Sequence, residues 1–343
     1  MTQNIWQKDN YLTFIEATSH HRTEIMRVSM LAVILFHQYF TSAIPFNFFH
    51  FFGYWGVDVF LFLSGMGIVN SIKKYPTSIY FKRRFTRILP SCILCGTLKY
   101  IIFNLFGTSI AVLKEGLNIC ILSMVGLDSW YIYTILIFYA IAPLLYIIIQ
   151  KAPLITIICI AFLYIINGLT VRPMVGFDWM SPEGILGWTI ERLPVFTCGM
   201  MISIWKSLDR KILTYSFIFL ILAIILKLLE KLCTPFPVLQ VCIMMTLAIG
   251  MPSLIFITIF FLQYTPQVLK AIFSFFGTYS LEIYLVHGFI FWALKIIYAC
   301  ISPWLLMPIA FILTCLSAYF CKKIVDKMTI LRGGLYKKCK IND

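Results

Sequence analysis

Residues 130–150 read Trp130-Tyr-Ile-Tyr-Thr-Ile-Leu-Ile-Phe-Tyr-Ala-Ile-Ala-Pro-Leu-Leu-Tyr-Ile-Ile-Ile-Gln150, without one charged side chain. A helix needs roughly 20 apolar residues to cross the hydrocarbon core of a bilayer, and this stretch supplies them. Outward from it, apolar stretches recur at 25–43, 54–71, 88–107, 153–170, 188–205, 212–230, 238–262, 279–298 and 305–321. Together they predict an all-α, polytopic integral membrane protein with about ten transmembrane helices. Composition agrees: 61% of the 343 residues are hydrophobic and 12% charged. Soluble domains run near half apolar and about a quarter charged, so a water-soluble globular enzyme is excluded.

The net charge of +14 comes from 28 Lys and Arg against 14 Asp and Glu. In a bilayer protein such an excess is read as topology rather than nucleic-acid binding, because cations are retained on the cytoplasmic side of short loops. Connector 72–87 carries Lys73, Lys74, Lys82, Arg83, Arg84 and Arg87, segment 206–211 carries Lys206, Arg210 and Lys211, and more follow from Lys322 to Lys340. These alternate loops lie on the face of the termini, so both ends are expected to be cytoplasmic. The opposite loops 44–53, 108–129 and 171–187 are poorer in cations and would face the exterior or periplasm. Segment 111–127, interrupted by Lys114, Glu115, Gly116 and Asn118, reads as interfacial or re-entrant.

The expected organisation is a cytoplasmic segment 1–23, a transmembrane domain 24–322 and a basic cytoplasmic tail 323–343. The first 23 residues hold Asp9, Glu16, His20 and His21 without an apolar core, which does not read as a signal peptide. Eleven cysteines, an odd number spread mostly through apolar runs, argue against a disulfide framework. The Cys92 and Cys95 pair has no second pair, and no metal is expected. No internal repeat is evident, which weighs against a transporter built from inverted halves.

Ionisable side chains inside apolar helices cost at least a few kcal/mol and are usually kept for a partner or a task. The first helix reads Glu24-Ile-Met-Arg27-Val-Ser-Met-Leu-Ala-Val-Ile-Leu-Phe-His37-Gln38. It puts a cation near the cytoplasmic mouth and an imidazole about 20 Å along from Glu24. An imidazole takes and returns a proton near neutral pH, as activation of a hydroxyl nucleophile requires. Equally, His37 would serve as a neutral group bonded to a neighbouring helix, and Arg27 as the partner of Glu24 on the same helical face. Asp58 opens the second helix at the outer level of His37 and would orient its ring, or else cap the helix. Ser64, Gly65 and Gly67 read as close-packing positions.

Arg83 and Arg87, four apart, share a face if their stretch is helical, and with Arg84 they offer a fork of guanidinium groups to a phosphorylated cofactor. The same run would serve as a topology signal or a contact with anionic lipids. Glu282 and His287, five apart in the ninth stretch, read as packing and hydrogen-bonding residues.

These segments, in this order, resemble the acyltransferase 3 family of bacterial membrane proteins, which O-acylate surface and secreted glycans. The matches are the Arg-to-His first helix, Gly56-Val57-Asp58-x-Phe60-x-x-x-Ser64-Gly65, Arg83-Arg84-x-x-Arg87-x-x-Pro90, and Ser280-Leu281-x-Ile283-Tyr284-Leu285-x-His287. Weaker landmarks are Trp130-Tyr131-Ile132 with Tyr139 and Pro143, and Pro194-x-Phe196-x-x-Gly199-Met200. The resemblance covers about residues 22 to 321. It implies transfer of an acyl group, usually acetyl, from cytoplasmic acyl-CoA such as acetyl-CoA to a sugar hydroxyl of a glycan or lipid-linked saccharide, in the bacterial inner membrane. It also implies that Arg27 and His37 form the essential first-helix pair and that Arg83, Arg84 and Arg87 meet the CoA phosphates.

One departure stands out. The family commonly puts ten residues between its arginine and histidine, which leaves both on nearly one helical face, whereas here nine intervene and His37 is rotated about 80° from Arg27. Gln38 takes the usual place and cannot act as a base. The fourth stretch also lacks the Glu found in many relatives. Realignment by an irregularity such as a π-bulge, or loss of the standard chemistry, would follow. The expected function is therefore a membrane O-acyltransferase using His37, Arg27 and Asp58. The rivals are a lipid-linked sugar transporter or flippase, using the arginines as a pyrophosphate grip, and an inactive relative.

Overall fold

The computed structural model describes residues 14–37, 53, 55–105, 130–170, 182–205, 210–232, 237–297 and 303–339. They form α1 (Phe14–His20), α2 (Arg22–Phe36), α3 (Trp55–Lys74), α4 (Thr77–Leu105), α5 (Trp130–Lys151) and α6 (Pro153–Leu169). There follow α7 (Pro182–Trp205), α8 (Arg210–Leu232), α9 (Pro237–Tyr264), α10 (Gln267–Thr278), α11 (Ser280–Ile297) and α12 (Pro303–Cys339). No strand occurs among the described residues. The chain is an all-α polytopic membrane protein.

As far as the described residues reach, each apolar stretch expected to span falls on one of these helices. Six of them, in α3, α5, α7, α8, α9 and α12, are long and apolar enough to cross a membrane by themselves. A seventh span results if α10 and α11, bent by 80° at their junction, count as one broken crossing. The shortfall from about ten has visible causes. The 17 residues of α6 lie at the short limit for a crossing, α2 is described over 15, and α4 opens with the cationic run.

Connector 72–87 is not a loop. Lys73 and Lys74 end α3, and Lys82 to Arg87 lie in the opening turns of the 29-residue α4. Of the expected exterior loops, 182–187 is the start of α7. Residues 44–52, 108–129 and 171–181, including segment 111–127, lie outside the described residues, as does Gln38.

The chain divides into two compact units. The first comprises Met1–Ser29, Trp55–Lys82 and Trp130–Ser274, the second Met30–Tyr54, Arg83–Ser129 and Phe275–Asp343. In lipid, apolar burial gives helices no reason to associate, so close van der Waals packing and interhelical hydrogen bonds must do it. The first unit shows both. A Cβ on Gly65 would stand 2.2 Å from the Phe196 carbonyl oxygen, and one on Gly199 2.2 Å from that of Phe62. The backbones of α3 and α7 are thus in direct contact at two reciprocal glycines. Thr134 and Thr189 share a hydrogen bond of 2.9 Å between α5 and α7, and Asn167 Nδ2 donates to the Gly187 carbonyl at 3.1 Å. By contrast most Leu and Ile side chains of α8, Ile218, Ile221, Ile225 and Leu229 among them, are exposed, the outward surface of a helix that meets lipid, while Leu220 is buried.

In the second unit, Ser91 Oγ on α4 donates to Glu282 Oε1 on α11 at 2.7 Å. Tyr279, at the junction of α10 and α11, makes a ring contact with Tyr319 on α12, 5.8 Å between centroids.

Candidate functional site

The described part of α2 holds regular helix through Phe36, and at His37 the backbone N–H reaches both the Val33 and Ile34 carbonyls, at 3.3 and 3.2 Å. That is a tightening of the last turn, the opposite of the widening a π-bulge would bring. The His37 ring turns back onto its own helix, with Nδ1 2.8 Å from the Val33 carbonyl oxygen. A carbonyl only accepts, so Nδ1 carries the hydrogen and Nε2 of the neutral ring holds the lone pair.

His287, on α11 in the same unit as His37, is arranged in the same way. Its Nδ1 lies 2.8 Å from the Tyr284 carbonyl and 3.1 Å from that of Ile283. The residue is 4% exposed, and its buried Nε2 has no hydrogen-bond partner among the described residues. The two rings stand edge to face, 4.5 Å between centroids and 75° between planes. Tyr284 and Phe291 complete the aromatic wall on the α11 side, at 5.5 and 6.2 Å from His287. Among the described residues no third His, Cys, Asp or Glu joins the pair to make a metal-binding group. Each imidazole, when neutral, presents an unprotonated Nε2 that can take up a proton, and two ring nitrogens are not a tetrahedral ligand set.

The first unit holds a second buried polar cluster. Asp58 Oδ1 lies 2.7 Å from Arg192 Nε, with the two side chains 0% and 2% exposed, and Glu191 Oε2 is 3.7 Å from Arg192 Nη1. The guanidinium sits over the rings of Trp130 and Trp188, 5.4 and 5.2 Å from their centroids, and Nη1 contacts Met244 Sδ at 3.3 Å. Aromatic faces at that range attract a cation, and this ion pair is far from the exposed type that contributes little.

The family model of an acyltransferase domain, acyltransferase 3, matches residues 27–323 of this chain. The chain belongs to the acyltransferase 3 family. No curated protein and no solved structure matches it.

As an acyltransferase 3 protein the chain can be held against the residues expected from its sequence. His37 meets His287, which the sequence assigned to packing. Asp58 is not a surface cap but a buried carboxylate engaged by Arg192. Arg192 and Glu191 were missed, although two adjacent ionisable residues inside the apolar stretch 188–205 were a readable signal of an interior pair. Glu24 does not pair with Arg27; its Oε2 lies 2.5 Å from His21 Nδ1. Arg27 itself is half-buried on α2, its Nε enclosed with no hydrogen-bond partner among the described residues. Arg83 and Arg87 are exposed one turn apart on α4, and Arg84 between them is half-buried. The helix that the guanidinium fork required is present.

Proposed function

We propose that this membrane acyltransferase moves an acyl group, acetyl in the simplest case, from acyl-CoA to a hydroxyl of a cell-surface or exported polysaccharide, from within the bacterial inner membrane. The observation that carries the reading is the His37–His287 pair, with both Nδ1 atoms tied to helix carbonyls. His37 Nε2 takes the proton of the acceptor hydroxyl. The freed oxygen attacks the thioester carbonyl, the C–S bond breaks, and the CoA thiolate recovers the proton from the imidazolium. His287 packs edge-on against the His37 ring and keeps it in position for that transfer. A positioned base of this kind contributes about 10²- to 10⁴-fold.

Arg83, Arg84 and Arg87 are assigned to the CoA phosphates, which bidentate guanidinium groups suit. Arg27, with an enclosed and unsatisfied Nε on the helix that carries His37, is assigned to the donor side of the same reaction. Asp58 holds Arg192 in place between α3 and α7. On this reading the basic ends of α3 and α4 face the cytoplasm, where acyl-CoA is found.

The test is acceptor-dependent release of CoA thiol by the purified chain in liposomes, given acetyl-CoA and a de-acetylated surface polysaccharide. Release that requires the glycan supports the reading. Glycan movement across the liposome without any CoA consumption would replace it.

A further inference from the structure

In the first unit, α1 and the opening turn of α2 close against α3 and α7 around a small half-open pocket of about 30 Å³. Its polar wall is Thr18, Ser19, Arg22, Asn70 and Ser203, and no carboxylate is among its described lining residues. Thr18 is 1% exposed, and its buried Oγ1 has no hydrogen-bond partner among the described residues. The Arg22 guanidinium lies flat on α3 at Gly67. A Cβ there would stand 2.4 Å from Nη1 and 3.2 Å from both Cζ and Nη2. Gly65 and Gly67, alike in the sequence, thus have different tasks. Gly65 admits a helix backbone, and Gly67 admits a guanidinium.

Every polar side chain on this wall can donate a hydrogen bond, and one of them is permanently cationic, which is the donor set that phosphate oxygens take. The volume is two to three times that of a single water site, about 10–15 Å³, so it admits the leading oxygens of one phosphate and excludes a sugar or purine ring. The pocket also lies at the end of α3 that finishes in Lys73 and Lys74, where an anion is drawn in. We propose that this pocket binds one phosphate group presented at the membrane surface, carried by the acyl donor or by an anionic phospholipid. The donor alternative rests on the function proposed above; the lipid alternative does not.

The experiment uses the full chain purified in detergent, with two binding readouts that need no turnover. These are equilibrium binding of radiolabelled coenzyme A and retention of phosphatidylglycerol against phosphatidylcholine by native mass spectrometry. Each is repeated on Arg22→Gln and on Thr18→Val, which removes one oxygen at nearly constant volume and so keeps the test readable if Arg22→Gln fails to fold. A loss of tenfold or more in coenzyme A affinity, with lipid retention unchanged, assigns the phosphate to the donor. Selective loss of phosphatidylglycerol assigns it to lipid, and loss of both assigns the pocket to phosphate from either carrier. Wild-type behaviour of both variants in both readouts overturns the proposal. Absence of acyl transfer alongside intact, variant-sensitive binding would defeat the proposed function and leave the pocket standing.

Discussion

The ring of His287 stands edge-on to the ring of His37, 4.5 Å between centroids, and each is anchored through Nδ1 to a carbonyl one helical turn back. That anchoring settles which nitrogen faces outward. With Nδ1 donating, only Nε2 can accept a proton, and the two Nε2 atoms belong to rings in contact. His287→Phe preserves ring contact and removes the second lone pair. It is expected to lower kcat about tenfold or more, with a changed pH–rate profile and an unchanged KM for acyl-CoA. Steady-state kinetics across pH checks this, and a variant that loses only thermal stability would make His287 a packing residue.

The Asp58–Arg192 pair sets a second expectation. Removing one member leaves the other charge buried, so Asp58→Ala and Arg192→Ala should each destabilise by about 3–5 kcal/mol. The double variant Asp58→Ala with Arg192→Ala should cost clearly less than the sum of the two singles. Thermal unfolding of the detergent-solubilised variants, treated as a double-mutant cycle, measures the coupling.

Glycines give a matched comparison. Gly199→Ala drives a Cβ into the Phe62 carbonyl and Gly65→Ala does the same at Phe196, both at 2.2 Å, so α3 and α7 must separate. Overpacking of this kind typically costs about 1–3 kcal/mol. None of the described residues lies within 4 Å of a Cβ at Gly288, so Gly288→Ala should be neutral or stabilising, helped by the helix preference of Ala over Gly. Melting temperatures of the three variants should fall in that order of groups.

The guanidinium fork predicts a binding defect. Arg83→Ala with Arg87→Ala, both exposed and one turn apart on α4, should raise the KM for acyl-CoA about tenfold or more and leave kcat near wild type, the signature of uniform binding lost. The defect should shrink for an acyl donor lacking the CoA phosphates. Equal effects on both donors would return these arginines to topology alone.

The fold was legible because bilayer crossing leaves a signal in composition and run length that needs no tertiary information. Trp130–Gln150 is apolar throughout, and a helix is what forms there. The cationic stretch 72–87 misled in one respect. Charge marks a side of the membrane but says nothing against helix, and Lys82, Arg83, Arg84 and Arg87 are good helix formers in the first turns of α4. The candidate site was half legible. His37 stood out as an imidazole in an apolar helix. Its partner did not, because spacing within α11 speaks only to neighbours on that helix, whereas His287 meets a residue 250 positions away in the chain. Asp58 was legible as costly to bury, and its partner Arg192 was printed in the same sequence at a position whose cost was equally visible. The family's Arg-to-His spacing is one residue shorter here, and the helix does not widen before His37 to compensate.

The most direct test of the account is the acyl-transfer rate of His37→Ala beside wild type, in protein shown to insert and melt normally. The account predicts a loss of about 10²- to 10⁴-fold in kcat, with binding of acyl-CoA retained. Wild-type turnover by that variant would contradict it.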